Sequence, residues 1–296
     1  MKRIIKNVLF GLMFLIGFGI LVYPTVSNQW NTYRQSKLIN SYEEVVKVME
    51  KEDFSEEWAL AQSYNDTIKY NALYSEAFGA GDTDMKNTEY WKVLNLAEDG
   101  VMGYLSIPKI NIKLAIYHGS EETVLQTGIG HIDGTKLPIG GESTHCVLSG
   151  HRGLPSARLF TDLNQLKMGD TFYVKSLNET LAYEVEQISV VEPNDTTKLK
   201  PETGKDYLTM ITCTPYGVNS HRLLVRGVRI PYTPEAEEEG SRTIINIINL
   251  QAVSWVYVAV AIGAVVLVIV ILLVIIFRKE KKKSKEQTDR RNENED

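Results

Sequence analysis

The sequence predicts a mainly β domain, either a barrel or a sandwich, that lies between two apolar segments. Short β-prone runs recur between glycine and proline turn signals, and long helical patterns are few in the middle of the chain. Apolar runs lie near both ends, and each has lysines and arginines beside it. The strand-like runs cover residues 103–107, 112–116, 144–149, 171–174, 181–191, 207–213 and 221–230.

Length and charge limit the classes of function. The 296 residues are enough for one extracytoplasmic domain plus membrane segments. The net charge of -5 is too mild to argue for a nucleic-acid partner. We therefore expect the membrane as a partner, and no nucleic acid.

Residues 1–24 predict an N-terminal signal-anchor transmembrane helix. Three basic residues among the first six precede an apolar run from Val8 to Val22. A run of this length fits a signal-peptide core or a short spanning helix. Tyr23 and Pro24 close the run instead of a small-residue cleavage site, which favours an uncleaved anchor. The basic start places the N-terminus in the cytoplasm.

Residues 28–99 predict a helical segment followed by a loop. Apolar residues recur at helical spacing in two stretches, one around Tyr42 and one from Trp58 onward. Ser55 and the two glutamates after it are typical of a helix start, so we expect the second helix to begin there. Residues 78–97 are rich in loop-forming residues and include Trp91.

Residues 100–232 predict the main domain. Besides the strands, residues 122–128 and 157–166 are expected to form short helices. Residues 233–250 are expected to form an acidic linker, and residues 252–277 a C-terminal transmembrane helix. Residues 278–296 are expected to be a cytoplasmic basic tail, which would place both termini in the cytoplasm and the domain outside it.

Three side chains that suit acyl transfer lie at or next to the ends of strand-like runs. Cys213 ends one run, and Arg222 begins the next after a loop that contains Pro215 and Gly217. His151 follows the short run that contains Cys146. A thiolate attacks carbonyl carbons, a guanidinium supplies donors to an oxyanion, and a histidine moves protons near neutral pH.

The segments around these residues resemble those of sortases. TMITCTPYGVNSHRLLVRG is similar to the sortase cysteine signature, with an arginine nine positions after the cysteine. GESTHCVLSGHRGLP is similar to the strand that ends in the sortase histidine. The residues after the cysteine look most like those of class C sortases, which polymerise pilins. The resemblance spans roughly residues 103–231 and implies an eight-stranded β-barrel.

The resemblance also implies a reaction. Cys213 would cleave an LPXTG-like sorting signal after its threonine and form a thioester, His151 would act as acid and base, and Arg222 would position the substrate and its oxyanion. The acceptor would be the amine of a pilin lysine, and no cofactor is implied. Arg226 and Arg152 are weaker alternatives to Arg222.

Class C sortases commonly carry a lid with an Asp-Pro-aromatic motif over the cysteine. Asp82 and Asp84 lie in the corresponding loop without a following proline, which departs from that motif. We expect Trp91 to be the plug of such a lid, with Asp82 or Asp84 near Arg222. An ordinary linker with one anchoring tryptophan is the alternative.

The other cysteine and histidines are weaker candidates for the site. His131 is expected to be structural, and His221 to be a neighbour of the site. Cys146 is five residues before His151, about 16 Å along a strand, which is too far from Cys213 for a disulfide. We expect Cys146 to be a small buried apolar residue. The spacing of His145 and Cys146 is not that of a zinc site, and no metal is expected.

Three other functions remain open on the sequence. A sortase could anchor surface proteins to peptidoglycan instead of polymerising pilins, although two membrane spans favour polymerisation. A membrane-tethered cysteine protease would release a free acid. A membrane-tethered binding module would need no nucleophile at all.

Overall fold

The computed structural model describes residues 2–68 and 88–234, together with Gly263 and Arg278. The chain divides into two compact units, Met1–Gly240 and Ser241–Asp296. In the second unit only the two isolated positions are described, and both are helical. Apart from these two positions, the predicted C-terminal span at 252–277, the tail at 278–296 and most of the linker lie outside the described residues.

A single long helix, α1 (Lys2–Val48), opens the chain. The segment Leu9–Val48 is long and apolar enough to cross a membrane, with a most apolar window of mean hydropathy 2.1 that has no buried residues. The sequence predicted separate helices before and after Pro24, but α1 continues through that proline. Pro24 has no backbone N–H and so removes one hydrogen bond of the helix, but the helix does not end there.

Two further helices follow, α2 (Lys51–Thr67) and α3 (Glu89–Lys92). The prediction that α2 begins at Ser55 was wrong, because the backbone N–H of Glu50 already donates to the Asp53 carboxylate at 2.8 Å. This cap satisfies the helix start one turn earlier. In α3 the Thr88 hydroxyl accepts a bond from the Trp91 backbone N–H.

Eight strands close into a barrel, which confirms the predicted fold class. Their order around the barrel is β1-β2-β3-β4-β7-β8-β6-β5, and all neighbours are antiparallel except β2 with β3 and β4 with β7. The strands are β1 (Val101–Ile107), β2 (Ile112–His118), β3 (Ile129–His131), β4 (Thr144–Ser149), β5 (Thr171–Ser176), β6 (Glu179–Val191), β7 (Asp206–Thr214) and β8 (His221–Ile230).

The short elements were predicted less well than the long strands. The three residues of β3 were missed, because so short a strand has no readable alternation. The helix expected at 122–128 exists as α4 (Glu122–Leu125). The helix expected at 157–166 is reduced to one 3-10 turn, Leu163–Gln165. Two more 3-10 turns lie at Pro108–Ile110 and Thr197–Leu199.

Alternation along β7 separates two apolar clusters. Leu208 and Met210 belong to the main core inside the barrel. Ile211 belongs to a second cluster, with Leu224 of β8 and Leu199 of the β6–β7 connection. Since successive side chains point to opposite faces, Cys213 shares the face of Ile211, outside the barrel interior.

The second half of α1 packs along the barrel wall. The Gln35 side chain accepts the Ala115 N–H at 2.8 Å and donates to the Thr127 carbonyl at 2.6 Å. The buried Tyr42 hydroxyl accepts the Leu177 N–H at 2.7 Å and donates to the Met102 carbonyl at 3.2 Å. These bonds satisfy backbone groups that would otherwise be buried without partners.

Candidate active site

Cys213 and Arg222 face each other across the β7–β8 hairpin. They are register partners in the antiparallel pair, next to the loop that joins the strands. Partners directly opposite in such a pair have Cβ atoms about 5 Å apart and on the same face. The Arg222 guanidinium also donates to the carbonyls of Asn219 and His221, each at 3.2 Å. It therefore lies at the base of the loop, on the face of the Cys213 thiol.

His151 lies at the same level on the neighbouring strand. β4 and β7 are parallel, and Ser149 is in register with Ile211. Two residues further along each chain, His151 is therefore level with Cys213. Hydrogen bonds continue the pairing past the end of β4. Gly150 N–H donates to the Ile211 carbonyl at 3.1 Å, and the Thr212 hydroxyl donates to the Gly150 carbonyl at 2.7 Å.

The three residues singled out in the sequence thus come together at one end of three adjacent strands. β4, β7 and β8 are neighbours in the barrel order. Adjacent strands are about 4.8 Å apart, so backbone spacing alone places the imidazole and the guanidinium on either side of the thiol.

A carboxylate that the sequence did not single out lies beside His151. The Nε2 atom of His151 is 3.3 Å from both carboxylate oxygens of Glu122, the first residue of α4. The pKa of Glu122 is below its usual value, because Gln126 donates a hydrogen bond to the carboxylate and the His151 imidazole is close. Glu122 is 29 residues from His151 along the chain, so no local pattern could indicate the pair.

Arg152 has a more definite place than the surface role the sequence suggested. Its guanidinium donates to the Thr214 hydroxyl at 3.0 Å and lies 6.0 Å from the centre of the Tyr216 ring. It connects the loop after β4 to the loop after β7. The other alternative, Arg226, is committed elsewhere: it pairs with Glu186 at 2.8 Å and Glu202 at 3.3 Å, and lies 4.2 Å over the Tyr207 ring.

Cys146 and His145 form a different environment from Cys213 and His151. Cys146 is 3 % exposed in the core, and burial raises the pKa of its thiol well above the usual value. The prediction of a small buried residue is confirmed, and both cysteines are free. His145 is buried, with Nδ1 near the Lys200 carbonyl and Nε2 near the Thr209 hydroxyl. This adjacent pair has no access to a substrate.

The other histidines have identifiable contacts. His131 is buried and bonds the Tyr90 hydroxyl at 2.8 Å, as the structural role predicted for it requires. His221 lies next to Arg222, and its Nε2 is 3.3 Å from the Glu192 carboxylate. Within residues 2–68 and 88–234, no group of three or more acidic, histidine or cysteine side chains is arranged to hold a metal ion.

The lid stays a prediction. Asp82 and Asp84 lie outside the described residues. Trp91 is half-buried, and its ring is 5.2 Å from the His118 ring and packs on Gly100. These contacts lie where β1 begins and β2 ends.

An open cleft of about 560 Å³ lies at the other end of the barrel from Cys213. Asp206, the first residue of β7, and Arg229, near the end of β8, line it. The Asp206 carboxylate accepts the Gly141 N–H at 2.9 Å and the Tyr183 hydroxyl at 3.1 Å, and lies 3.4 Å from Arg229. Asp206 and Arg229 are therefore engaged in contacts that stabilise the fold, and this cleft is not the candidate active site.

Known proteins resemble this chain in sequence. Residues 105–230 match the family model described as a sortase domain. The chain is 31 % identical over 160 residues to sortase A of Bacillus anthracis, a match that covers 54 % of this chain and 74 % of that protein.

Solved structures give the same result at higher identity. The crystal structure of sortase C1 from Streptococcus agalactiae is 48 % identical with a TM-score of 0.60, covering 67 % of this chain and 100 % of that one. The structure of Streptococcus pneumoniae sortase C, described with insights into catalysis and pilin substrate specificity, is 44 % identical with a TM-score of 0.58. That match covers 67 % of this chain and 98 % of the other.

Proposed function

We propose, from the premise that this chain belongs to the sortase family of cysteine transpeptidases, that it polymerises pilins through Cys213, His151 and Arg222. The observation that carries the residue assignment is the register of the site. Cys213 and Arg222 are direct cross-strand partners, and His151 follows the parallel strand at the level of Cys213. The class C identity of the structural neighbours supports pilins as substrates.

In the first half-reaction, the Cys213 thiolate attacks the threonine carbonyl of an LPXTG-like sorting signal. A carbon–sulfur bond forms and the peptide carbon–nitrogen bond breaks, which leaves a thioester. Protonated His151 donates its proton to the leaving amine. Arg222 donates hydrogen bonds to the oxygen that becomes negatively charged in the transition state.

In the second half-reaction, the side-chain amine of a pilin lysine attacks the thioester. A carbon–nitrogen bond forms, the carbon–sulfur bond breaks and the Cys213 thiolate is regenerated. Neutral His151 takes the proton that the attacking amine loses, so the site returns to its starting state. The product is an isopeptide bond between two pilins.

Membrane anchoring is part of the proposal. The long apolar helix α1 fits an N-terminal anchor of the domain. A second span at residues 252–277, with both termini in the cytoplasm, would hold the barrel outside the cell.

The acyl-enzyme tests the nucleophile. Incubating the full-length protein in detergent with a sorting-signal peptide should add the mass of the acyl fragment to the chain, with the adduct on Cys213. The variant Cys213→Ala should form no adduct. Cys146→Ala is the matched control and should form the adduct, because Cys146 is buried away from the site. An adduct that survives Cys213→Ala would refute the assignment.

The acceptor is tested separately. A pilin that carries both a sorting signal and an acceptor lysine should form covalent ladders with the wild-type protein. Transfer only to short wall-peptide amines would show anchoring to peptidoglycan instead, and release of free acid alone would show a protease.

A further inference from the structure

Helix α1 runs along the barrel from the active-site end to the opposite end. At the active-site end, the Ser27 hydroxyl donates to the Ser156 carbonyl at 3.3 Å, and the Asn28 side chain accepts the Arg158 N–H at 2.8 Å. At the other end, Tyr42 bonds Met102 near the start of β1. Fifteen residues separate Ser27 from Tyr42, which is about 22 Å of helix.

The apolar part of α1 continues beyond the active-site end. The apolar run ends at Val22, five residues before Ser27, or about 8 Å along the helix. Large apolar side chains in this part are exposed, including Ile20 and Leu21. Trp30 and Tyr33 are exposed just after it, and such aromatic residues are enriched where a helix leaves the bilayer.

The candidate active site is close to this junction. Ser156 lies five residues after His151, so the two are at most about 18 Å apart along the chain. The loop also returns to the site, because Phe160 N–H donates to the His151 carbonyl at 3.1 Å. With about 8 Å added for the contact between Ser27 and Ser156, His151 is therefore within about 34 Å of the end of the apolar run.

The loop between β7 and β8 exposes apolar side chains at the same end of the barrel. Tyr216 is 61 % exposed and Val218 is 69 % exposed. The Tyr216 ring packs against Gly153, where an added Cβ atom would come within 2.9 Å of it. The loop thus lies beside the segment that contacts α1, and its apolar groups face outward.

We propose that the active-site end of the barrel rests on the lipid bilayer, with Tyr216 and Val218 in the interfacial region. The occupant of this apolar surface is lipid, because the 151–160 loop that contacts Tyr216 also hydrogen-bonds α1 just after its apolar part. Burying apolar groups in the interface is favourable, and tyrosine in particular suits it. The site then receives donor peptides whose scissile bond lies near the membrane surface.

This inference rests on the proposed anchoring by α1 but not on the reaction, so its test does not measure activity. In full-length Cys213→Ala, where only Cys146 of the two native cysteines remains and is buried, a single cysteine replaces Val218 or Glu142. Glu142 is exposed and lies just before the start of β4, which is about 23 Å from His151 by strand rise. Each variant is labelled with a bimane fluorophore.

The labelled proteins are reconstituted in vesicles of phosphatidylcholine and phosphatidylglycerol that contain head-group spin-labelled lipid. We expect several-fold stronger quenching at position 218 than at position 142. Equal quenching, or stronger quenching at 142, would overturn the proposal. Thermal unfolding checks that each variant is folded, and Ser220→Cys in the same exposed loop replaces Val218→Cys if the latter is not.

Discussion

At the scale of single residues, the site depends on contacts around His151 that the chain makes over long separations. The Glu122 carboxylate contacts His151, just after β4. The Arg152 guanidinium donates to the hydroxyl of Thr214, the last residue of β7. A carboxylate next to a histidine orients the imidazole by accepting its N–H. We therefore treat Glu122 as a positioning residue for His151.

Replacing Glu122 with Gln should lower kcat by roughly two- to tenfold, the effect of losing one modest hydrogen bond. KM should change little, because Glu122 acts through His151. The low pKa of Glu122 means that its carboxylate is ionised down to acidic pH, so the difference from wild type should persist from neutral pH to about pH 5. Steady-state rates across pH measure both effects.

Glu121→Gln is the matched control. Burial raises the pKa of Glu121, and no hydrogen bond joins its side chain to His151 among the described residues. This variant should keep the wild-type kcat. A wild-type kcat for Glu122→Gln would show that the carboxylate contact does not serve the reaction.

At the scale of elements, α1 is both the apolar segment and a part of the folded domain. The side chains of Tyr42 and Gln35 supply hydrogen-bond partners to backbone groups of β1, β2 and the β5–β6 turn, which would otherwise have none. The packing of Ile39 and Tyr42 against Tyr104 adds apolar burial. The orientation of the barrel relative to the apolar segment follows from these contacts.

Tyr42→Phe should therefore destabilise the domain. The variant leaves the Leu177 N–H without its acceptor and removes one donor from the Met102 carbonyl, which should lower the free energy of unfolding by about 1–3 kcal/mol. For a domain of this size, Tm should fall by roughly 2–10 °C in full-length protein held in detergent. Tyr33→Phe, at an exposed position of the same helix, should leave Tm unchanged. No change for Tyr42→Phe would mean that α1 does not stabilise the barrel.

At the scale of the whole molecule, the barrel is closed around buried polar side chains that remain neutral. Burial lowers the pKa of both His131 and His145 to about 4. An unfolded histidine has a pKa of about 6.5, so between about pH 6.5 and 4 the unfolded state binds more protons than the folded state. Each histidine thus removes stability as the pH falls through that window.

The expected loss is up to about 3 kcal/mol for each histidine by pH 4, with the full stability present above pH 6.5. Asp206 has the opposite effect on the pH dependence of stability. Burial raises the pKa of its carboxyl, so the folded state binds this proton more readily than the unfolded state and gains stability as the pH falls. Thermal unfolding from pH 7.5 to 4.5 measures the net slope. His145→Gln should reduce the slope, and an unchanged slope would contradict the role given to this buried histidine.

The long strands and the order of the functional groups could be read from the sequence. Strand bounds for β4 and β8 match their patterns, because β-propensity and turn residues act over short distances. The nine-residue spacing of Cys213 and Arg222 suits a hairpin, which is itself a local structure. The resemblance to sortases added the barrel and the reaction.

Only the tertiary structure decided which distant groups meet. Closure of the barrel brings β4 beside β7, which aligns His151 with Cys213, and places α4 so that Glu122 reaches the imidazole. It also brings Arg226 to the carboxylates of Glu186 and Glu202. That α1 continues through Pro24 is likewise visible only in the structure. The physical reason is that side-chain patterns report the local backbone, while strand register and helix docking are set by packing between residues far apart in the chain.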